Sequence, residues 1–129
     1  MLFRSGLRRT AEGPHLVAYD WELAAVGAPQ RDLAELLCFV LPAQVDAATL
    51  AAFVDLHRSN LERESGIRLA ADVWRAGFVS GLADFLVTRL SFYALIDRVK
   101  PQPFLPRVVR TWQRLHELSR HWQALPAKV

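Results

Sequence analysis

Three carboxylates in the stretch "HLVAYDWELAAVGAPQRDLAELL", residues 15–37, have the types and the spacing to do chemistry. Asp20 ends an apolar run of strand character, Glu22 follows two positions later, and Asp32 stands at the start of a helical pattern. Residues two apart on a strand point to the same face, so Asp20 and Glu22 can present their carboxylates together. Mg²⁺ takes one or two such carboxylates alongside phosphate oxygens and water. The spacing therefore indicates magnesium binding, with the solvated end of a strand as the alternative.

The elements that must position these acids begin with a β-hairpin. Residues 2–4 and 15–21 have strand character, and the loop between them contains Gly6 and the Glu-Gly-Pro sequence at 12–14. A two-stranded hairpin is marginally stable alone in water. We therefore expect it to pack on helices or to join a larger sheet.

Two helices are predicted after the hairpin. The first has Asp32 in its first turn and ends before Pro42, and its apolar residues recur at helical spacing as Leu33, Leu36, Leu37 and Val40. Asp46 is expected to cap the second helix and Gly66 to close it. The apolar surface of this second helix is predicted to include Leu50, Phe53, Val54, Leu56, His57 and Leu61.

The longest helical pattern spans residues 69–99, and a final helix spans roughly residues 104–124. The apolar residues of the longer one cover more than half of its circumference: Trp74, Phe78, Leu82, Phe85, Leu86, Phe92 and Ile96. Such a helix is buried on several sides or is two helices with a break. Gly77 and Gly81 lie on one face, which predicts a close contact with another helix.

These patterns predict a mainly α fold, with a small N-terminal β-hairpin followed by four to five helices. The composition, 52% hydrophobic and 22% charged, fits one globular domain over residues 1–129. Within it, residues 1–22 are expected to form the hairpin with the metal-site aspartate, and residues 31–125 a helical subdomain.

The single cysteine and the distribution of apolar residues indicate the cellular location of the protein. Because Cys38 is the single cysteine, no internal disulfide can form, which favours a reducing compartment. It lies in the apolar run "LLCFVL", which indicates a buried packing role rather than a nucleophile. No apolar stretch approaches the roughly 18 uncharged residues of a membrane-spanning helix. We therefore expect a cytoplasmic protein with no membrane partner.

The run "LVAYDWELAAVGAPQRDLAELL" strongly resembles the region after the catalytic loop in the aminoglycoside phosphotransferase and choline kinase family, which has the protein-kinase-like fold. The shared pattern is a hydrophobic strand, Asp, an aromatic residue, Glu, a short loop with Gly and Pro, and Asp-Leu-Ala opening a helix. The resemblance is sharp over residues 1–41, and the remainder is similar only in kind to the C-terminal part of the large lobe. It implies transfer of a phosphoryl group from ATP to a hydroxyl of a small molecule, with Mg²⁺ as cofactor.

By this resemblance Asp20 corresponds to the aspartate that ligates Mg²⁺ and thereby holds the nucleotide phosphates. Glu22 is a second candidate metal ligand or a supporting group. Asp32 matches the Asp of Asp-Leu-Ala, which implies a structural brace of the catalytic loop through hydrogen bonds. From the residues alone, Asp32 caps the helix and compensates its dipole, and both roles can hold at once.

The resemblance also implies parts that this sequence does not contain. The family has a His-x-Asp-x-x-x-x-Asn catalytic loop ahead of the hairpin, whose Asp is the general base, and an N-terminal lobe with a phosphate-contacting Lys. None of the four histidines (His15, His57, His116 and His121) lies in such a loop. Positioning and charge stabilisation supply nearly all catalysis of phosphoryl transfer. We therefore expect a fragment with no catalytic residue of its own, which alone neither binds Mg²⁺ and ATP nor turns over.

Arg107, Arg110 and Arg114 fall at i, i+3 and i+7 of the last predicted helix. A solvated polar face is the ordinary interpretation of this stripe, and an anion-binding surface is the functional alternative. No nucleic-acid-binding motif accompanies the stripe, so no nucleic acid is expected. From residue 69 onward the chain holds nine Lys and Arg against four Asp and Glu. This excess argues against a polycationic antibiotic as the phosphate acceptor.

Two functions of different classes remain open at this point. The first is the kinase fragment, whose partners are a small-molecule hydroxyl substrate and a complementing lobe. The second is a stand-alone helical interaction module, a degenerate kinase-like remnant that forms a homo-oligomer or binds a protein partner. The reading frame upstream of Met1 and the oligomeric state distinguish them.

Overall fold

The computed structural model describes residues 4–19 and 27–123. Its first elements are β1 (Arg4–Thr10) and β2 (Gly13–Tyr19), an antiparallel pair in register from Arg4 with Tyr19 to Thr10 with Gly13. The predicted hairpin is confirmed, but the predicted bounds of its first strand are wrong. β1 runs through Gly6, and the chain turns only at residues 11–12, where Gly13 takes a φ of 122° that favours glycine.

Helix α1 (Pro29–Val40) carries Pro29 and Asp32 in its first turn, the latter as predicted. Its buried residues are Gln30, Leu33, Ala34, Leu37 and Cys38. Leu36 and Val40 belong to the predicted apolar stripe but are 44% and 58% exposed. The helix therefore buries only part of the face that the sequence pattern indicates.

Helix α2 (Ala47–Ser65) starts and ends as predicted. The carboxylate of Asp46 accepts a hydrogen bond from the backbone N–H of Thr49 at 2.7 Å, which caps the helix and lowers the pKa of Asp46. Gly66 ends the helix with a φ of 70°, a left-handed conformation that glycine adopts without a steric penalty.

The long predicted helix is continuous but contains a wide turn. α3 (Ala71–Phe85), a π-helical turn (Leu86–Leu90) and α4 (Ser91–Asp97) follow one another directly. In the π-helical turn the backbone N–H of Ser91 donates to the carbonyl of Leu86, five residues back. The helix does not break, and the predicted burial on several sides holds only as far as Leu90.

This continuous helix, Ala71–Asp97, has 27 residues, and its most apolar 18-residue window has a mean hydropathy of 1.4. Only 28% of that window is buried. Within the described residues it is the one helix long and apolar enough to cross a membrane. The core helix of a soluble protein passes the same test of length and composition.

Gly77 and Gly81 bring α3 against the first turn of α1. A Cβ at Gly81 would lie 2.9 Å from the carbonyl oxygen of Gln30 and 3.1 Å from the Cα of Arg31. A Cβ at Gly77 would lie 2.8 Å from the Nε2 of Gln30. The predicted close helix contact is confirmed. Glycine is needed at position 81 because the backbone of α1 occupies the space of a side chain, whereas at Gly77 the side chain of Gln30 occupies that space.

Helix α5 (Leu105–Ser119) continues into a 3₁₀ turn (Arg120–Gln123) and closes the core. The hydroxyl of Thr111 donates to the carbonyl of Leu41 at 3.2 Å, and the indole of Trp112 donates to the carbonyl of Leu82 at 2.9 Å. The core that these helices share includes Leu37, Cys38, Leu50, Val54, Phe78, Leu82, Phe85, Val108 and Leu115. The structure is mainly helical with a small N-terminal hairpin, as predicted.

Candidate functional site

The predicted metal ligands, Asp20 and Glu22, lie outside the described residues. The structure describes the elements on both sides of them: β2 ends at Tyr19, and α1 begins at Pro29. Carboxylate oxygens are the hard ligands that Mg²⁺ prefers, so both residues fit the ion by type. Within residues 4–19 and 27–123, no group of three or more His, Cys, Asp or Glu is arranged to hold a metal ion. The magnesium site stays a prediction.

Asp32 lies in the first turn of α1 and is partly exposed. The residue at the cap position is Ala28, which makes no side-chain capping hydrogen bond in the described part of the chain. Asp32 is therefore not the residue at the cap position, because the helix begins earlier, at Pro29. A negative charge in the first turn still compensates the helix dipole. The role of Asp32 as a brace for a catalytic loop stays a prediction.

Glu35 is a polar residue of this region that sequence reasoning missed. Burial raises its pKa, the charge of Asp32 raises it further, and the guanidinium of Arg89 opposes this rise. Burial also raises the pKa of Tyr93, and the charge of Glu35 adds to that effect. The i, i+3 spacing of Asp32 and Glu35 was visible in the sequence. Their neighbours Arg89, from the π-helical turn, and Tyr93, from α4, could not be identified from the sequence.

His57 on α2 is half-buried, which agrees with its predicted place on the apolar surface of that helix, and its ring centroid lies 5.4 Å from that of Trp74. Burial lowers its pKa, although the charge of Asp32 acts in the opposite sense. The Nδ1 of His57 and the Nε1 of Trp74 are buried without a hydrogen-bond partner among the described residues. The imidazole is therefore neutral near pH 7 and lies against the core rather than in a solvent-filled cleft.

Cys38 is buried in the core, so its predicted packing role is confirmed. Burial raises the pKa of its thiol to about 12, and the charge of Glu35 adds to the rise. The thiolate is the reactive form of cysteine, and this environment disfavours it at neutral pH.

The three arginines of the predicted stripe have different environments in the structure. Arg107 and Arg110 are exposed on α5. Arg114 is engaged within the protein: its Nε donates to the carbonyl of Val45 at 3.0 Å, and its Nη1 pairs with Glu117 at 3.1 Å. Arg114 thus ties α5 to the loop before α2. Anion binding stays a prediction, and Arg107 and Arg110 are the two exposed members of the stripe.

Near Asp32 the described residues form a polar group rather than a complete site. Asp32 and Glu35 place two carboxylates at the start of α1, while Arg89 and His57 lie close enough for charge interactions with them. A carboxyl with a raised pKa exchanges its proton closer to neutral pH than a solvated one does.

No protein-family model, curated protein or solved structure matches this chain.

Proposed function

We propose that this chain supplies the magnesium-binding segment and the helical part of an aminoglycoside phosphotransferase-like small-molecule kinase. The observation that carries the proposal is the Asp20-Trp21-Glu22 sequence, followed ten residues after Glu22 by Asp32-Leu33-Ala34. The described fold supports it, since β2 ends one residue before Asp20 and Asp32 lies in the first turn of α1. The reaction proposed is transfer of a phosphoryl group from ATP to a hydroxyl.

The proposed roles of the residues follow from their positions. Mg²⁺, when bound, neutralises charge on the nucleotide phosphates. Asp20 holds the ion, with Glu22 beside it. Asp32 holds the loop that carries the general base through hydrogen bonds, from a helix end anchored in the core by Leu33 and Ala34, which are 7% and 0% exposed. The chain thus positions the reaction, and the proton is accepted by a residue that this sequence does not contain.

The first test reads the DNA immediately upstream of the codon for Met1. We expect an in-frame sequence encoding His-x-Asp-x-x-x-x-Asn shortly before residue 1, preceded by the coding sequence of a further lobe. A stop codon or an unrelated sequence in that place would contradict the proposal.

The second test measures metal–nucleotide binding by the chain expressed together with that upstream sequence. Mg²⁺ with ATP should raise the melting temperature, because a ligand at about a hundred times its Kd stabilises by about 2.7 kcal/mol. Asp20→Asn should abolish the rise. Asp72→Asn changes an exposed carboxylate in the first turn of α3 and serves as the matched control that retains it. An equal rise in Asp20→Asn and the control would exclude Asp20 as the metal ligand.

A second candidate function is a helical module that forms a homo-oligomer or binds a protein partner. Exposed apolar side chains on α1 and α2 favour it: Leu36, Val40 and Phe53 are 44%, 58% and 40% exposed. In addition, neither β1 nor β2 packs extensively on a helix among the described residues. A stable dimer by light scattering that Phe53→Asp converts to a monomer would favour this function, and a monomeric wild-type chain would disfavour self-association.

A further inference from the structure

The outer side of α4 presents an apolar surface to solvent. Phe92, Leu95 and Val99 are spaced i, i+3 and i+7 and are 53%, 63% and 89% exposed. Val87, in the π-helical turn one turn earlier, is 72% exposed. None of the residues of α4, all of which the structure describes, is buried. We call the surface formed by Val87, Phe92, Leu95 and Val99 the α4 face.

Basic residues border the α4 face. Arg98 and Lys100 flank Val99 in the sequence and are exposed. Residues 86–110 contain five Lys and Arg and a single acid, Asp97. The carboxylate of Asp97 accepts a hydrogen bond from the backbone N–H of Gln102 at 2.5 Å, so it is engaged in the turn. The end of α4 is therefore an apolar surface with a cationic rim.

This combination fits the surface of an anionic membrane. Apolar side chains of an interfacial helix enter the boundary between headgroups and acyl chains, and flanking Lys and Arg contact anionic lipid headgroups. A second copy of this chain fits less well, because an isologous contact would bring the same cationic residues face to face. The depression between Ser91, Leu95 and Arg98 is open to solvent, so it offers no enclosed groove for a partner helix.

We propose that the α4 face docks on membranes rich in anionic lipid, with Leu95 and Val99 entering the headgroup region and Arg98 and Lys100 contacting lipid phosphates. The helix lies on the membrane rather than across it, because α3 is part of the protein core. The inference does not depend on the proposed kinase function. It departs from the sequence expectation of no membrane partner, which could not take the exposure of α4 into account.

Sedimentation of the full chain with lipid vesicles tests the proposal. We expect binding to mixed phosphatidylcholine and phosphatidylglycerol vesicles that weakens with salt, and little binding to phosphatidylcholine alone. Arg98→Gln with Lys100→Gln should lower the partition coefficient about 25-fold, since each basic residue near the surface contributes about fivefold. Leu95→Asp with Val99→Asp should lower it at least about tenfold. All four positions are exposed, so these variants should keep the wild-type circular dichroism spectrum.

A matched control makes one change of each kind elsewhere on the surface, with the same change in net charge as either α4 variant. Leu56→Asp with Arg68→Gln alters an apolar residue that is 54% exposed and an exposed base away from α4, and it should bind as the wild type does. The proposal is overturned if the wild type does not bind anionic vesicles, if it binds both vesicle types equally, or if the control loses as much binding as the α4 variants. It is also overturned if the chain is a dimer in solution that Leu95→Asp dissociates, since the occupant would then be a second copy.

Discussion

α3 and α4 belong to one continuous apolar helix, but they differ in how far they are buried. α3 contributes Trp74, Phe78, Val79, Gly81, Leu82 and Phe85 to the interior. No residue of α4, each of them described, is fully buried, and Tyr93 is half-buried against the core. The difference shows that apolar composition predicted the helix correctly, whereas burial depended on which elements pack against each part.

The π-helical turn explains why the two parts differ. Phe78, Phe85 and Phe92 are spaced seven residues apart, which on an uninterrupted α-helix places them on one face. Their exposed fractions are 0%, 1% and 53%. The wider turn at Leu86–Leu90 changes the angular position of every residue after it, so Phe92 leaves the line of the first two.

The largest expected effect is the difference in stability loss between alanine variants of Phe78 and Phe92. Phe78→Ala should lower the free energy of unfolding by about 3–5 kcal/mol, because it leaves a cavity in the core. Phe92→Ala should lower it by less than about 1 kcal/mol, because half of the side chain is already in water. Urea denaturation followed by circular dichroism measures both changes. Equal losses in the two variants would mean that α4 is buried in solution, for example by self-association.

A second expected effect concerns the contact that buries α3. Gly81→Ala should destabilise by about 1–3 kcal/mol, because the new Cβ would lie 2.9 Å from the carbonyl oxygen of Gln30. The sign is informative, since helix propensity alone would make alanine stabilising by about 1 kcal/mol. Ser80→Ala, at the exposed neighbouring position, is the control and should change stability by less than about 0.5 kcal/mol. A more stable Gly81→Ala protein would contradict the close approach of α1.

Features of the fold that depend on neighbouring residues were predictable from the sequence. Asp46 and Gly66 mark the ends of α2 through local chemistry, since one caps by a hydrogen bond and the other tolerates a left-handed conformation. The π-helical turn and the exposure of Val87 were not predictable, because they depend on contacts between elements distant in sequence. The sequence misplaces the first strand because glycine is typical of loops, whereas Gly6 lies within β1.

The candidate site was likewise predictable where neighbouring residues determine it, and not where distant elements meet. The sequence indicated Asp32 and placed it in a first helical turn, and the structure has it there. The sequence did not indicate that Glu35 and His57 would share the electrostatic environment of Asp32, because that depends on how α1, α2 and α4 pack. Arg114 looked equivalent to Arg107 by spacing, but the carbonyl of Val45 that it binds lies 69 residues away in the chain.

The smallest expected effects are two pH dependences of the free energy of unfolding, one from a residue packed on α3 and one from a residue of α4. His57 lies against Trp74 of α3, and burial lowers its pKa from an ordinary value of 6.5. The folded state therefore favours the neutral imidazole. The stability contributed by His57 is intact above pH 6.5 and is lost as the pH falls through the lowered pKa. Tyr93 of α4 has a pKa that burial raises from 10.0, so its contribution is intact below pH 10.0 and is lost as the pH rises.

Denaturant titrations over a pH series measure both contributions, each with a slope of at most about 1.4 kcal/mol per pH unit. His57→Gln should flatten the acid side alone, and Tyr93→Phe the alkaline side alone. Subtracting the His57→Gln profile from that of the wild type isolates His57 from Glu35, whose raised pKa favours the folded state at low pH. A His57→Gln profile parallel to the wild type between pH 5 and 7 would mean that the imidazole is solvated, and that α3 is less closely covered by α2 than the ring contact with Trp74 indicates.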